Sequence, residues 1–292
     1  LQNEKHLGHI WYLSMTKLRP KIHVIGTGGT IAGVGENTLD YTRYAEKGIK
    51  LSISDSLDRI PEGLETIDLG YEDFISIGSP AIGPDQWLGL AQRVNELLDN
   101  ESNDGVVITH GTATLEETAY FLHLTVKSSK PVVITGAMRP PTSLGSDADL
   151  NLLDAIRVAA HPASSGKGVL TVLNNEIHCA RDVYKSNTLR VETFRANELG
   201  FLGYSDSDGR IVYYRQPIRS HTLDTPFDVS NHDTLPRVDI VYAYGGSDRL
   251  LIDAVRENRS DGMVMSGLGS GTFPPILLEA GSDSIKEGME VV

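Results

Sequence analysis

The sequence predicts an α/β protein: a mainly parallel sheet flanked by helices in a large N-terminal domain, followed by a smaller α/β C-terminal domain. Three observations carry this. Short β-branched runs alternate with stretches of helical periodicity, the pattern of βαβ units. Two of those runs end in Gly/Thr turns, where the ligand crevice of an open parallel sheet lies. A length of 292 residues suits one large domain and a small one.

Taken in order, LQNEKHLGHIWYLS (1–14) has no signal-peptide core and reads as an extension or tag, with Met15 as a natural start. KIHVI (21–25) is a predicted strand that leads into Gly26-Thr27-Gly28-Gly29-Thr30. Residues 33–50 are polar and loop-like and contain Tyr41 and Tyr44. The spacing of DQWLGLAQRVNELL predicts a helix over 85–98. GVVI (105–108) reads as a buried strand, followed by the turn Thr109-His110-Gly111-Thr112 and a helix over 115–126. Thr114 can cap that helix, and Glu116 and Glu117 favour its dipole. A strand over 131–135, a helix over 149–160 and a strand over 168–173 complete the pattern. The Pro-, Ser- and Asp-rich stretch 214–235 reads as a linker after a site-bearing domain over 15–213. The remainder, 236–292, reads as a strand, helix, strand, helix unit that stops on an apolar run and so looks incomplete. Its small size suggests docking on the first domain or on another subunit.

Composition narrows the function. A net charge of −13 argues against nucleic-acid binding, which needs a basic footprint. No apolar run reaches the roughly 20 residues of a membrane span, so a cytoplasmic protein is expected. One cysteine, Cys179, leaves no intrachain disulfide, and the nine histidines show no metal-ligand spacing.

Three motifs can carry chemistry. In TGGTIAG (27–33) the glycines let the backbone turn and aim N–H groups at a ligand, and Thr30 could attack a carbonyl carbon. A dinucleotide loop fails there because Ile31 stands where G-x-G-x-x-G needs its last glycine. In THGTATLEETAYF (109–121) Thr112 stands at a turn before a helix, although helix capping by Thr112 or Thr114 explains that placement as well. In ARDVYKSNT (180–188) Lys185 could hold a lowered pKa and move a proton, or be a solvated surface lysine.

Together with GAMRP (136–140) and HTLDTPFDVS (221–230), these motifs in this order closely resemble the asparaginase/glutaminase family, bacterial type II-like branch. The resemblance implies an amidohydrolase that needs no metal or organic cofactor, works on a small-molecule carboxamide and forms a homo-oligomer, dimer or tetramer. It implies Thr30 as nucleophile, Tyr41 as its activating tyrosine with Tyr44 in reserve, and Thr112 and Lys185 as the second catalytic pair. Gly29, Gly111 and the carboxylate-binding Ser79 fall in the substrate site, and Ala137 falls beside the leaving amide. Two positions depart from the family. Pro80 replaces a Gln or Glu and Ala113 replaces an Asp, the side chains that hold a substrate α-ammonium. Tyr244-Gly245-Gly246-Ser247-Asp248 also lacks the family's Asn. The expectation is a substrate with carboxylate and carboxamide but no α-amino group, malonamate- or succinamate-like, beside L-asparagine itself. Loss of that Asp is also expected to leave Lys185 without an anionic neighbour and to lower its pKa. A non-catalytic small-acid-binding homologue is the reading from another class.

Overall fold

The computed structural model describes residues 19–292 apart from 61 and 102. The extension expected over 1–14 and the start at Met15 lie outside the described residues. The chain divides into two compact units, the first ending at Asn231 and the second spanning His232–Val292.

The first unit is built on an eight-stranded sheet. Strands β1 (Lys21–Gly28), β2 (Asp68–Ile77), β3 (Gly105–Thr109), β4 (Val132–Thr135) and β5 (Val169–Leu173) run parallel in the order β2-β1-β3-β4-β5. β6 (Glu176–Cys179), β9 (Gly203–Ser205) and β10 (Ile211–Tyr213) continue it antiparallel beyond β5. A separate short ladder pairs β7 (Tyr184–Lys185) with β8 (Phe194–Arg195). The runs GVVIT, VVIT and VLTVL of β3, β4 and β5 are buried throughout, as strands covered on both faces must be.

Helices α1 (Ile53–Asp58), α2 (Pro84–Asp99), α3 (Leu115–Thr125) and α4 (Ala148–Ala160) cover the sheet. In α2 the buried Leu88, Ala91, Val94 and Leu98 recur at helical spacing, and Pro84 opens the first turn. In α4, Leu152, Ala155, Ile156 and Ala159 join Ile22, Val24, Val107 and Val133 in one core. The 214–231 stretch is fastened to this unit. Arg215 donates to the Phe201 carbonyl at 2.8 Å, Lys127 Nζ to the Thr225 carbonyl at 2.8 Å, and Gln92 to the Val229 carbonyl at 3.2 Å.

Strand order places the site. From β1 the chain crosses to β2 on one side, then returns past β1 to β3 and steps away through β4 and β5. The direction therefore reverses between β1 and β3, and the crevice past their carboxyl ends is the natural ligand position. Both Gly/Thr turns lie there.

In the second unit β11 (Val238–Tyr242), β12 (Gly262–Ser266) and β13 (Glu290–Val291) form a parallel sheet in that order. α5 (Leu250–Glu257) and α6 (Pro275–Lys286) supply Ile252, Leu277 and Ala280 to a core shared with Val241 and Met263.

Candidate active site

The turn after β1 depends on glycine. Gly28 and Gly29 have φ of 92° and 85°, where a side chain is strained. A Cβ on Gly29 would lie 2.3 Å from Gly111 Cα, so the two Gly/Thr turns touch backbone to backbone. The Gly29 N–H donates to the Ile77 carbonyl at 3.2 Å, which ties the turn to the end of β2. Thr30 follows, 9% exposed, with Oγ1 2.5 Å from the Tyr44 hydroxyl.

Tyr44, not Tyr41, is therefore the tyrosine at Thr30. Tyr41 turns away and donates to the Leu144 carbonyl at 3.1 Å. Tyr44 opens a short 3-10 turn, Tyr44–Lys47, and its ring lies over Gly33. A Cβ there would meet Tyr44 Cδ2 at 2.6 Å. The last glycine of TGGTIAG thus makes room for the tyrosine.

The turn after β3 is held differently. Trp87 Nε1–H donates to Thr118 Oγ1 at 2.8 Å, and Thr118 Oγ1 lies 3.0 Å from His110 Nε2. A carbonyl only accepts, so His110 Nδ1–H donates to the Gly111 carbonyl at 2.8 Å, and Nε2 of the neutral ring accepts from the Thr118 hydroxyl. His110 is fully buried, and burial pushes its pKa down to about 4. This neutral chain fixes the peptide that precedes Thr112.

Thr112 Oγ1 accepts from Lys185 Nζ at 2.8 Å. Lys185 comes from the β7–β8 ladder, whose loop is pinned by Ser186 donating to the Thr193 carbonyl and by Asn187 N–H on Thr193 Oγ1. Burial lowers the Lys185 pKa from 10.5, while Glu116 acts against that shift. The expected direction stands and its expected cause does not. Lys185 has an anionic neighbour: the Glu116 carboxylate accepts the Lys185 backbone N–H. Sequence reasoning gave Glu116 only to the dipole of α3, because nothing local brings it to a residue so far along the chain.

The third corner is the end of β2. Ser79, 3% exposed, accepts the Ala113 N–H on Oγ at 3.2 Å, and its carbonyl accepts from Thr114 Oγ1 at 2.8 Å. Thr114 is the N-cap residue of α3, yet its side chain serves this bridge and not the helix. Thr30, Tyr44, Ser79, Thr112 and Lys185 line one cleft of about 460 Å³, with Gly29, Gly111, Pro80 and Ala113 among its walls. Ala137 is not among its lining residues; its side chain is fully buried in the core with those of α4. Lys50, which motif reading passed over, also lines the cleft.

A cleft with two threonine hydroxyls, each bonded to a titratable partner, can support nucleophilic acyl chemistry. The comparisons agree. The family described as "Asparaginase, N-terminal" matches residues 21–219. The chain is 42% identical to "L-asparaginase 2" of Bacillus subtilis over 94% of this chain and 72% of that protein. It is 42% identical to "Probable L-asparaginase periplasmic" of Haemophilus influenzae over 94% of this chain and 76% of that protein. The crystal structure of "Probable Cytoplasmic L-asparaginase from Campylobacter jejuni" superposes with a TM-score of 0.88 at 38% identity, covering 93% of this chain and 82% of that one. With this sheet, this cleft and these relatives, the chain belongs to the asparaginase family and is an amidohydrolase of that family.

Proposed function

We propose that the protein hydrolyses the side-chain carboxamide of a small carboxylic acid, L-asparagine or an analogue, to the acid and ammonia, with Thr30 as nucleophile. The observation that carries this is the gathering of the Thr30–Tyr44 and Thr112–Lys185 pairs around Ser79 in one cleft. Thr30 Oγ1 attacks the amide carbon and passes its proton to the Tyr44 oxygen, while the Tyr44 hydroxyl gives its own proton on to the amide nitrogen, which leaves as ammonia. Water then attacks the threonyl ester and releases the acid. Burial disfavours the charged form of Lys185, which suits that lysine to accept a proton through Thr112. Ser79 Oγ, already an acceptor for Ala113 N–H, keeps its own hydrogen for the substrate carboxylate. The Gly29 N–H is committed to β2, so the donors that face the tetrahedral oxygen come from other groups of the two turns.

Ammonia release from a panel of carboxamides, with the acyl-enzyme trapped by acid quench and located by mass spectrometry, tests this. Thr30→Ala should lower the rate about 10⁴-fold or more, by analogy with loss of other nucleophiles. An ester on Thr112, or a Thr30→Ala variant within tenfold of the parent, sinks the assignment. We place the protein in the cytoplasm as a homo-oligomer. Retention in spheroplasts and a light-scattering mass in solution check those two points.

A further inference from the structure

The walls of the cleft carry two lysines, Lys50 and Lys185, and among the described residues no Asp or Glu lines it. Lys185 is engaged with Thr112, and its neighbour Glu116 is turned to the lysine's own backbone. Lys50 makes no ion pair among the described residues. Its ammonium is partly stripped of water, and no carboxylate offsets that burial. Ser79 is flanked by Pro80 and Ala113, whose side chains offer no acceptor.

In an α-amino acid the carboxylate and ammonium share one carbon. A carboxylate set on Ser79 therefore brings the ammonium against Pro80 and Ala113, in a cleft whose walls carry Lys50 and, among the described residues, no carboxylate. A buried unpaired charge is strongly disfavoured, whereas a lone carboxylate finds the Lys50 ammonium.

We propose that Lys50 is a specificity-determining residue and that the preferred substrate is a net-anionic carboxamide, a monoamide of a small dicarboxylic acid without an α-ammonium. This rests on the amidohydrolase reading above and narrows its substrate class.

The test compares succinamate with L-asparagine on the full chain, following ammonia release. The expected kcat/KM for succinamate exceeds that for L-asparagine by about tenfold or more, well within what one unit-charge contact near a protein surface supplies. Lys50→Gln should lower kcat/KM for succinamate several-fold through KM, with kcat little changed, and should narrow the ratio. Ala113→Asp should reverse the preference toward L-asparagine. Calorimetry of both amides on Thr30→Ala separates binding from turnover, and the circular dichroism spectrum of each variant reports whether it is folded. A higher kcat/KM for L-asparagine, or a ratio indifferent to Lys50→Gln in a folded variant, overturns the inference and leaves the amidohydrolase reading intact. Tighter binding of succinamate with no ammonia from either amide supports the inference and overturns that reading.

Discussion

The two Gly/Thr turns present the same hydroxyl at neighbouring strand ends and are stabilised by opposite means. The turn after β1 is a matter of space. It relies on positive φ at Gly28 and Gly29, on backbone contact with Gly111, and on Gly33 leaving room for the Tyr44 ring. The turn after β3 is a matter of buried polar groups. Trp87, Thr118 and His110 form a chain that ends on the Gly111 carbonyl, and the distant pair Glu116 and Lys185 closes over Thr112. One turn is therefore vulnerable to volume and the other to protons.

The largest expected effect breaks the first turn by volume. Gly33→Ala places a methyl group within 2.6 Å of the Tyr44 ring and must displace it. Its loss in kcat should approach that of Tyr44→Phe, about 10²- to 10³-fold, the usual range for removing a proton-transfer partner. The double variant should be no slower than the worse single one, since both act through the Thr30–Tyr44 bond. Additive losses would show that Gly33 acts elsewhere. Tyr41→Phe should change kcat less than twofold, because among the described residues that hydroxyl bonds to the Leu144 carbonyl and not to Thr30.

How much of this was legible follows physical lines. β3, β4 and β5 announced themselves because strands buried on both faces must be continuous apolar runs. β2, DLGYEDFISI, did not, because it is a sheet edge with half-exposed residues and mixed polarity. Ser79 could still be placed because its motif carried it without the strand. The Tyr41 and Tyr44 ambiguity lay in a loop with no periodicity, and only the fold of Tyr44–Lys47 over Gly33 resolves it. The resemblance implied Ala137 as a site residue, yet its methyl group is buried in the core. Lys50 carried no motif at all.

The next effect is on stability and belongs to the second turn. The folded protein keeps His110 neutral down to about pH 4, while the unfolded chain takes up that proton at its ordinary 6.5. His110 therefore favours the folded state fully above pH 6.5, and that contribution is lost as pH falls from 6.5 to about 4. The loss is about 3 kcal/mol at most. His123, pushed by burial to about 3, adds a decline of the same sign. Urea titrations across this range should show a shallower acid decline in His110→Asn than in the parent, although the variant starts from lower stability at pH 7. Parallel declines would mean that His110 is not what makes this turn acid-sensitive.

The smallest effect sharpens the comparison most, because it changes charge and leaves volume alone. Glu116→Gln keeps an oxygen that can accept the Lys185 N–H, so the β7–β8 ladder should stay docked. It removes the one charge that raises the Lys185 pKa against burial. The neutral lysine then predominates from a lower pH, and the rising limb of kcat against pH should move to the acid side with its plateau little changed. A limb unmoved in a folded variant would separate Lys185 from the titrating step. A collapse of the plateau with no shift would assign Glu116 to holding the ladder rather than to setting the charge. The same substitution placed against Tyr44→Phe should leave the first turn's loss unaltered, which asks directly whether the two threonine pairs are independent devices that share one cleft.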